Sequence, residues 1–306
     1  MTIEPTRPRA VAKPWGSPWG SAVLEPWRHL GEAGDTVGEI WFERSSTAAP
    51  EPRLLLKLLF TTAALSIQVH PDDAFAQSMD LPCGKSEAWY ILAAAEGARV
   101  ALGLRRPLDA AALRAAAADG AIARLVAWRP VAAGEAIVVP AGTIHAIGAG
   151  LVVAEIQQRS DTTFRLFDHG RPRPLQIEQA VAAARPGPAE EQAAPVVLAD
   201  GRTLLVADPH FILERIDLPP ASLWQLRALQ ETWVLAIAGG ARLGELDLVQ
   251  GEALYLDRAQ AVLRAGPQGL QALVAYPGPA LNTDLLEPDG AQVITAASAQ
   301  RTEAFP

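Results

Sequence analysis

Short stretches of alternating or continuous apolar residues recur along the whole chain. Gly38–Glu43 alternates and predicts a strand, and Leu54–Phe60 is an apolar run of buried-strand length. Leu65–His70 puts Leu65, Ile67 and Val69 on one face and Ser66, Gln68 and His70 on the other. Glu87–Leu92, rich in aromatic and branched residues, predicts another strand, and so do Glu135–Val139 and Leu151–Gln157. Toward the C-terminus the rhythm continues through Leu204–Ala207, Phe211–Leu218, Thr232–Ala238, Ala253–Leu256 and Gln271–Tyr276. Residues 108–127 differ. Asp109 is an N-cap for an Ala-rich stretch with Leu113, Ile122, Leu125 and Val126, and Gly120 separates two short helices. Residues 1–35, with Trp15, Trp19 and Trp27 among Pro and Gly, predict irregular chain anchored by aromatics. Many short strands with turn signals and few helices predict a mainly β fold. Two jelly-roll barrels or sandwiches stand in tandem, with the helices in or beside the first. The Pro- and Ala-rich residues 184–195 read as a linker. The expected division is 1–183, with an N-terminal extension and the helical insert, then 184–195, then 196–306.

Composition narrows the function. Half of the 306 residues are apolar, enough for sizeable cores, and the net charge of -8 disfavours nucleic acid as a partner. A small anion needs only one or two placed cations and stays possible. Cys83 is the single cysteine, so no internal disulfide forms, and a reducing cytoplasm is expected. Residues 1–15 lack a signal-peptide core, and no apolar run approaches ~18 residues, so no membrane span is expected. Gly31–Gly34 contains no phosphate-loop pattern.

Two pairs carry the chemistry. Gln68 and His70 share one strand face, and Lys85 and Glu87, in Gly84-Lys85-Ser86-Glu87-Ala88-Trp89-Tyr90, are also two apart. Together they offer an amide oxygen, an imidazole, an ammonium and a carboxylate, a costly set to bury unless paired or coordinated. A third element is Gly134 to His145, which fits G-x5-P-x-G-x2-H through Gly134, Pro140, Gly142 and His145. That is most of the second motif of the cupin superfamily, with Ala149 where the pattern ends in Asn. The histidines His29, His169 and His210 lie outside these motifs and read as structural.

In combination these segments resemble the class I mannose-6-phosphate isomerases (phosphomannose isomerases) of the short bacterial form. The resemblance runs from about Leu54 to Arg171 in order and spacing, and includes Glu155-Ile-Gln-Gln-x-Ser-Asp-Thr-Thr-Phe-Arg165. Lys13-Pro14-Trp15-Gly16 looks like the family's N-terminal motif. Beyond the linker the likeness is weak. The resemblance implies a cupin fold and one Zn2+ per chain, held by Gln68, His70, Glu87 and His145. With one carboxylate such a site keeps a net charge of about +1, favouring Lewis acidity. It further implies proton transfer between C2 and C1 of mannose 6-phosphate and fructose 6-phosphate, with a sugar phosphate as partner. Arg165 matches the family's catalytic Arg and suits an enediolate oxygen or the phosphate. Lys85 and Glu155 are both candidates for the base, the former on the expectation that a nearby cation lowers its pKa. Ser66 can donate to substrate, and Asp161 can orient Arg165. Phe164 and His169 stand where the family carries Tyr and Trp, which bears on how the Arg165 loop packs.

Three other readings remain open: an isomerase of another or unphosphorylated sugar, a non-catalytic sugar-binding cupin, and an iron dioxygenase. The last is disfavoured by a ligand set of two His and an amide. The C-terminal part keeps Glu231-Thr-Trp-Val-Leu and Gly251-Glu-Ala-Leu-Tyr-Leu-Asp257, without Pro-x-Gly-x-x-His after it. It reads as a degenerate cupin that buttresses the first and holds no metal. Oligomeric state is not legible.

Overall fold

A computed structural model describes residues 2–10, 20, 21, 27, 36–46, 50–199 and 201–289. Trp15, Trp19, His29, Gly31–Gly34 and the Lys13–Gly16 motif lie outside the described residues. The architecture is mainly β, and among the described residues every strand pairing is antiparallel. Residues Thr2–Ala10, expected to be irregular, form a strand. Its first half pairs with Ala253–Asp257 and its second half with Glu39–Arg44. Each half is bonded on one side only, which tolerates Pro5 and Pro8, since proline has no N–H to give a ladder. Through this strand the two halves of the chain share one 15-stranded sheet.

In the N-terminal half, Glu39–Arg44, Leu54–Thr61, Leu151–Gln158, Glu87–Ala94 and Ala136–Val139 lie side by side in that order. A second sheet has the order Phe164–Phe167, Ile67–Val69, His145–Ile147, Arg99–Leu104, Val126–Pro130. Trp89, Ile91, Val139 and Val153 from the first meet Val100, Leu102 and Ile147 from the second. Each such side chain, fully buried, contributes about 1.5–3 kcal/mol. The outer face of the second sheet carries Ile67, Val69, Ala101 and Leu104, and the helices Ala110–Ala118, Ile122–Leu125 and Ile177–Ala183 cover it. Asp109 caps the first of these by accepting from Ala112 N–H at 2.7 Å. Gly120, at φ +76°, breaks the chain before the next. Val126 does not extend that second helix as expected; it opens the Val126–Pro130 strand, where a β-branched side chain fits better.

The C-terminal half closes around Ile212, Leu226, Val234, Leu254, Leu263 and Val274. A further cluster joins the halves, with Phe42, Leu56, Tyr90 and Ile156 against Phe211, Leu213, Trp233, Tyr255 and Leu273. The segment 184–195 is a bound strap. Gly187 O accepts from Leu104 N–H at 2.8 Å, and Gln192 bonds both the N–H and the carbonyl of Val138. Among the described residues no helix is long and apolar enough to cross a membrane.

Candidate metal centre and active site

Two rows of side chains face each other across the N-terminal sandwich. On the smaller sheet, Arg165 is directly opposite Gln68, and Gln68 directly opposite His145. On the larger sheet the row runs Trp41, Lys57, Glu155, Trp89. Glu87, two residues before Trp89, shares its face.

Close backbone contacts bring the loops into place. His70 O accepts from Gly142 N–H at 2.8 Å, and Gly142 adopts φ +85°, which ties the bend before His145 to His70. Gly84 passes so near Asp72 that a Cβ would lie 2.5 Å from its carbonyl carbon. Lys85 N–H then donates to Pro71 O at 2.9 Å. His70, Glu87 and His145 are thereby buried together, with ligand atoms all within 4.8 Å of one another.

Hydrogen bonds define what these groups offer. The Nδ1 atoms of His70 and His145 lie 2.8 Å from Thr162 O and Thr143 O. A carbonyl only accepts, so each Nδ1 carries the proton and each Nε2 a lone pair. His70 Nε2 and Glu87 Oε2 are 3.3 Å apart; the former has no hydrogen-bond partner, and the latter is paired only with the Lys85 ammonium. His145 Nε2 is 3.4 Å from Glu87 Oε1, which accepts from Trp89 Nε1 at 3.0 Å. Burial, reinforced by Lys85, pushes His70 down to about 3, and burial also lowers His145. Both imidazoles are therefore neutral at pH 7. Burial would raise Glu87, but the Lys85 ammonium beside it holds it well below the carboxylate range. Two neutral imidazoles and an ionised carboxylate, with an orphan His70 Nε2 buried among them, fit a divalent cation.

Gln68 sits beside this cluster with its Nε2 3.3 Å from His145 Nε2, and its Oε1 accepts from Ser66 Oγ at 2.9 Å. The Ser66 hydroxyl, expected at the substrate, is thus engaged with Gln68. Lys85 Nζ is 3.1 Å from Glu87 Oε2. Burial opposes its charge, yet Glu87 and Glu155 outweigh that effect and raise it above the ordinary lysine value. Glu155 is pushed upward by burial and by the Glu87 charge. Arg165 is half-buried; burial and then Arg173 lower it, and its Nε has no hydrogen-bond partner. Asp161 acts on Arg165 by charge and lines the cavity, as do Ser66, Gln68, Lys85, Glu87, Glu155 and Arg165. His169 and His210 lie elsewhere, the former 2.9 Å from Leu65 O and the latter 3.8 Å from Asp73.

The sequence reading missed three charged residues here. Lys57 is buried, 3.4 Å from Glu155, 3.8 Å from Glu39 and 4.4 Å from the Trp41 ring centroid. Burial and then Lys85 lower its pKa, despite both carboxylates. Glu39 lines the same cavity and accepts from Trp41 Nε1 at 3.0 Å. Arg173 lines it too, held by Asp168 at 2.6 Å. The signal for Lys57 was one charged residue inside the run Leu54–Phe60, where burial demands a partner.

No protein-family model matches the chain. A mannose-6-phosphate isomerase of Streptococcus mutans is 40% identical over 166 residues, 52% of each chain. One of Bacillus subtilis is 38% identical over 143 residues, 45% of each. The chain thus spans about half the length of the curated relatives it matches. Among solved structures, a mannose 6-phosphate isomerase from Bacillus subtilis superimposes with TM-score 0.77 at 23% identity, covering 90% of this chain and 100% of that one. An apo mannose 6-phosphate isomerase from Salmonella typhimurium superimposes with TM-score 0.68 at 16% identity, covering 90% and 99%. Over about half its length the chain is similar in sequence to mannose-6-phosphate isomerases, and over nine-tenths of it shares the fold of their solved structures.

Proposed function

We propose that the chain is a metal-dependent aldose–ketose isomerase that interconverts mannose 6-phosphate and fructose 6-phosphate. The observation that carries this reading is the buried His70–Glu87–His145 cluster with its orphan His70 Nε2, set beside the protonatable Glu155. Those three residues, with Gln68, are the proposed zinc ligands. Coordination by Gln68 requires its amide turned over, with Oε1 toward His145 and Nε2 donating to Ser66 Oγ, which then accepts. Bound zinc would supply Lewis-acid stabilisation of the oxygens at C1 and C2.

The protein's own residues do the rest. The open-chain aldose loses its C2 proton to a base as the C1 carbonyl oxygen takes up a proton, giving the enediol; the base then returns the proton to C1 as the C2 hydroxyl gives up its own, leaving the ketose carbonyl at C2. Between the two candidate bases, the geometry favours Glu155. Its carboxyl is shifted toward neutrality, as shuttling a proton near pH 7 requires, whereas Lys85 is held charged against Glu87. Lys57, 3.4 Å from Glu155, orients that carboxylate. Arg165 and Arg173 lie at the opposite wall, where two guanidinium groups suit a phosphate or an enediolate oxygen.

The test is an assay of metal-replete protein on mannose 6-phosphate, with unphosphorylated mannose alongside. Fructose 6-phosphate is the expected product, with mannose turned over far more slowly. No product from mannose 6-phosphate overturns the reading, and full activity after thorough demetallation overturns the metal's part in it.

A further inference from the structure

Glu231 belongs to the C-terminal half, yet its carboxylate is spent on the N-terminal one. Oε2 accepts from Arg53 N–H at 2.6 Å, and Oε1 accepts from Leu54 N–H at 2.9 Å and from Trp233 Nε1 at 3.0 Å. Arg53 and Leu54 open the Leu54–Thr61 strand, which delivers Lys57 and lies directly against Glu155. The carbonyl of Arg53 accepts from Arg159 N–H at 2.9 Å, and Arg159 directly follows Gln158. Gln158 in turn accepts from Ser86 N–H at 2.9 Å, and its own N–H donates to Ser86 O at 3.0 Å. Ser86 is the residue between Lys85 and Glu87. One buried carboxylate therefore grips the start of a path that runs through Arg53, Arg159 and Gln158 to Ser86, and so to two walls of the site.

The grip is chemically specific. Three N–H donors converge on two oxygens that are almost fully shielded from water. Burial raises the Glu231 carboxyl, and the three N–H donors act in the opposite sense, favouring the ion. An amide of the same shape presents an NH2 to one of those donors, so at least one buried N–H loses its acceptor.

We infer that Glu231 is a positioning residue for the isomerase site, a clamp from the C-terminal half that sets the placement of Lys57 and Glu155 and, through Gln158 and Ser86, of Lys85 and Glu87. This rests on the isomerase reading of the site. Displacement of reacting groups by about 1 Å costs up to about a hundredfold in rate.

Glu231→Gln, purified and loaded with zinc, tests it. The expected result is a kcat lower by about tenfold to about a hundredfold per metal-bound molecule, with KM nearly unchanged; metal content is measured alongside, because the path ends at the proposed ligand Glu87. Glu231→Asp restores the charge but not the reach, so it recovers only part of the loss. A parental kcat in either variant overturns the inference, because a merely structural clamp lowers melting temperature alone. If Glu231→Gln fails to fold, Glu231→Asp carries the test by itself. Amide hydrogen exchange separates this from the isomerase reading. Faster exchange in the variant at Arg53 and Leu54, and also at Ser86 and Gln158, is expected whether or not mannose 6-phosphate is the substrate. Unchanged protection at Ser86 and Gln158 overturns the path.

Discussion

Glu87 and Glu231 are the same local device used in opposite directions. Each stands two residues before a tryptophan whose indole donates to the carboxylate at 3.0 Å. In the N-terminal half, Trp89 and Ile91 share Glu87's side and face the interior of the sandwich, while Ala88 and Tyr90 pack at the junction. In the C-terminal half the phase is reversed. Val234 and Ala236 fill the interior, and Trp233, Leu235 and Ile237 face the junction. With a side-chain period of two, one residue of phase decides which side a carboxylate serves. Glu87 thereby meets two histidines, and Glu231 meets two backbone N–H groups.

The interiors differ in the same way. In the C-terminal half the main buried charges satisfy one another. Arg202 makes two bonds to Glu214, at 2.8 and 2.9 Å, and Tyr276 donates to the same carboxylate at 2.5 Å. In the N-terminal half, His70 Nε2 keeps a lone pair with no hydrogen-bond partner, 3.3 Å from Glu87 Oε2. Equal burial thus yields a closed structural network in one place and, in the other, a cluster that could still hold a cation, and the difference lies in whether the last lone pair is used.

That contrast can be broken experimentally, and the sharpest attempt is His145→Ala. Zinc affinity and turnover should both collapse, by more than the ~100-fold typical of an outer-shell change, as read by metal analysis and the coupled assay. An active, zinc-bound His145→Ala protein ends the cation-site reading. Next is Glu155→Gln, which should cut kcat by about 10²–10⁴-fold with zinc retained. Metal loss, or little change in rate, would move the proton transfer elsewhere. On the other side of the comparison, Glu214→Gln leaves Arg202 buried beside an uncharged partner. It should cost about 3–5 kcal/mol in urea unfolding while kcat per folded molecule stays near parental. A large kcat loss there would erase the division between structural and functional charge.

The smallest effect concerns Asp168. Burial would raise its carboxyl, but the bonds from Arg173 and Arg171 outweigh burial and hold it below the ordinary value. A folded pKa below the unfolded one stabilises fully above the unfolded value, about 3.9, and the increment is lost as pH falls through the folded value. Below about pH 4 the parent should therefore lose stability more steeply than Asp168→Asn, measured by denaturant midpoint against pH. Equal slopes would remove Asp168 from the acid response.

Much of this was legible along the chain. Alternation in Leu65–His70 and the Glu-x-Trp spacing placed Gln68, His70 and Glu87 on inward faces, and Gly142 signalled the bend before His145 that the φ of +85° realises. Phe211–Leu218 begins and ends where its pattern does. Other features had no local signal. Thr2–Ala10 carries two prolines and becomes a strand because two separate edges need a partner. The short strands His145–Ile147 and Phe164–Phe167 have too few residues for a period to register, and pairing defines them, the first against Arg99–Leu104 and Ile67–Val69 and the second against Ile67–Val69.

By itself, the amino-acid sequence determined the strand periods, the helix caps and the types of side chain that can bind a cation, because these follow from bonding within a few residues. Only the tertiary structure decided which partners those side chains meet. Lys57 became a site residue because the Leu151–Gln158 strand sets Glu155 opposite it, and Glu231 became a clamp because its face turns to the junction. Contacts between distant segments depend on register and packing, and a shift of one residue in either would have exchanged their roles.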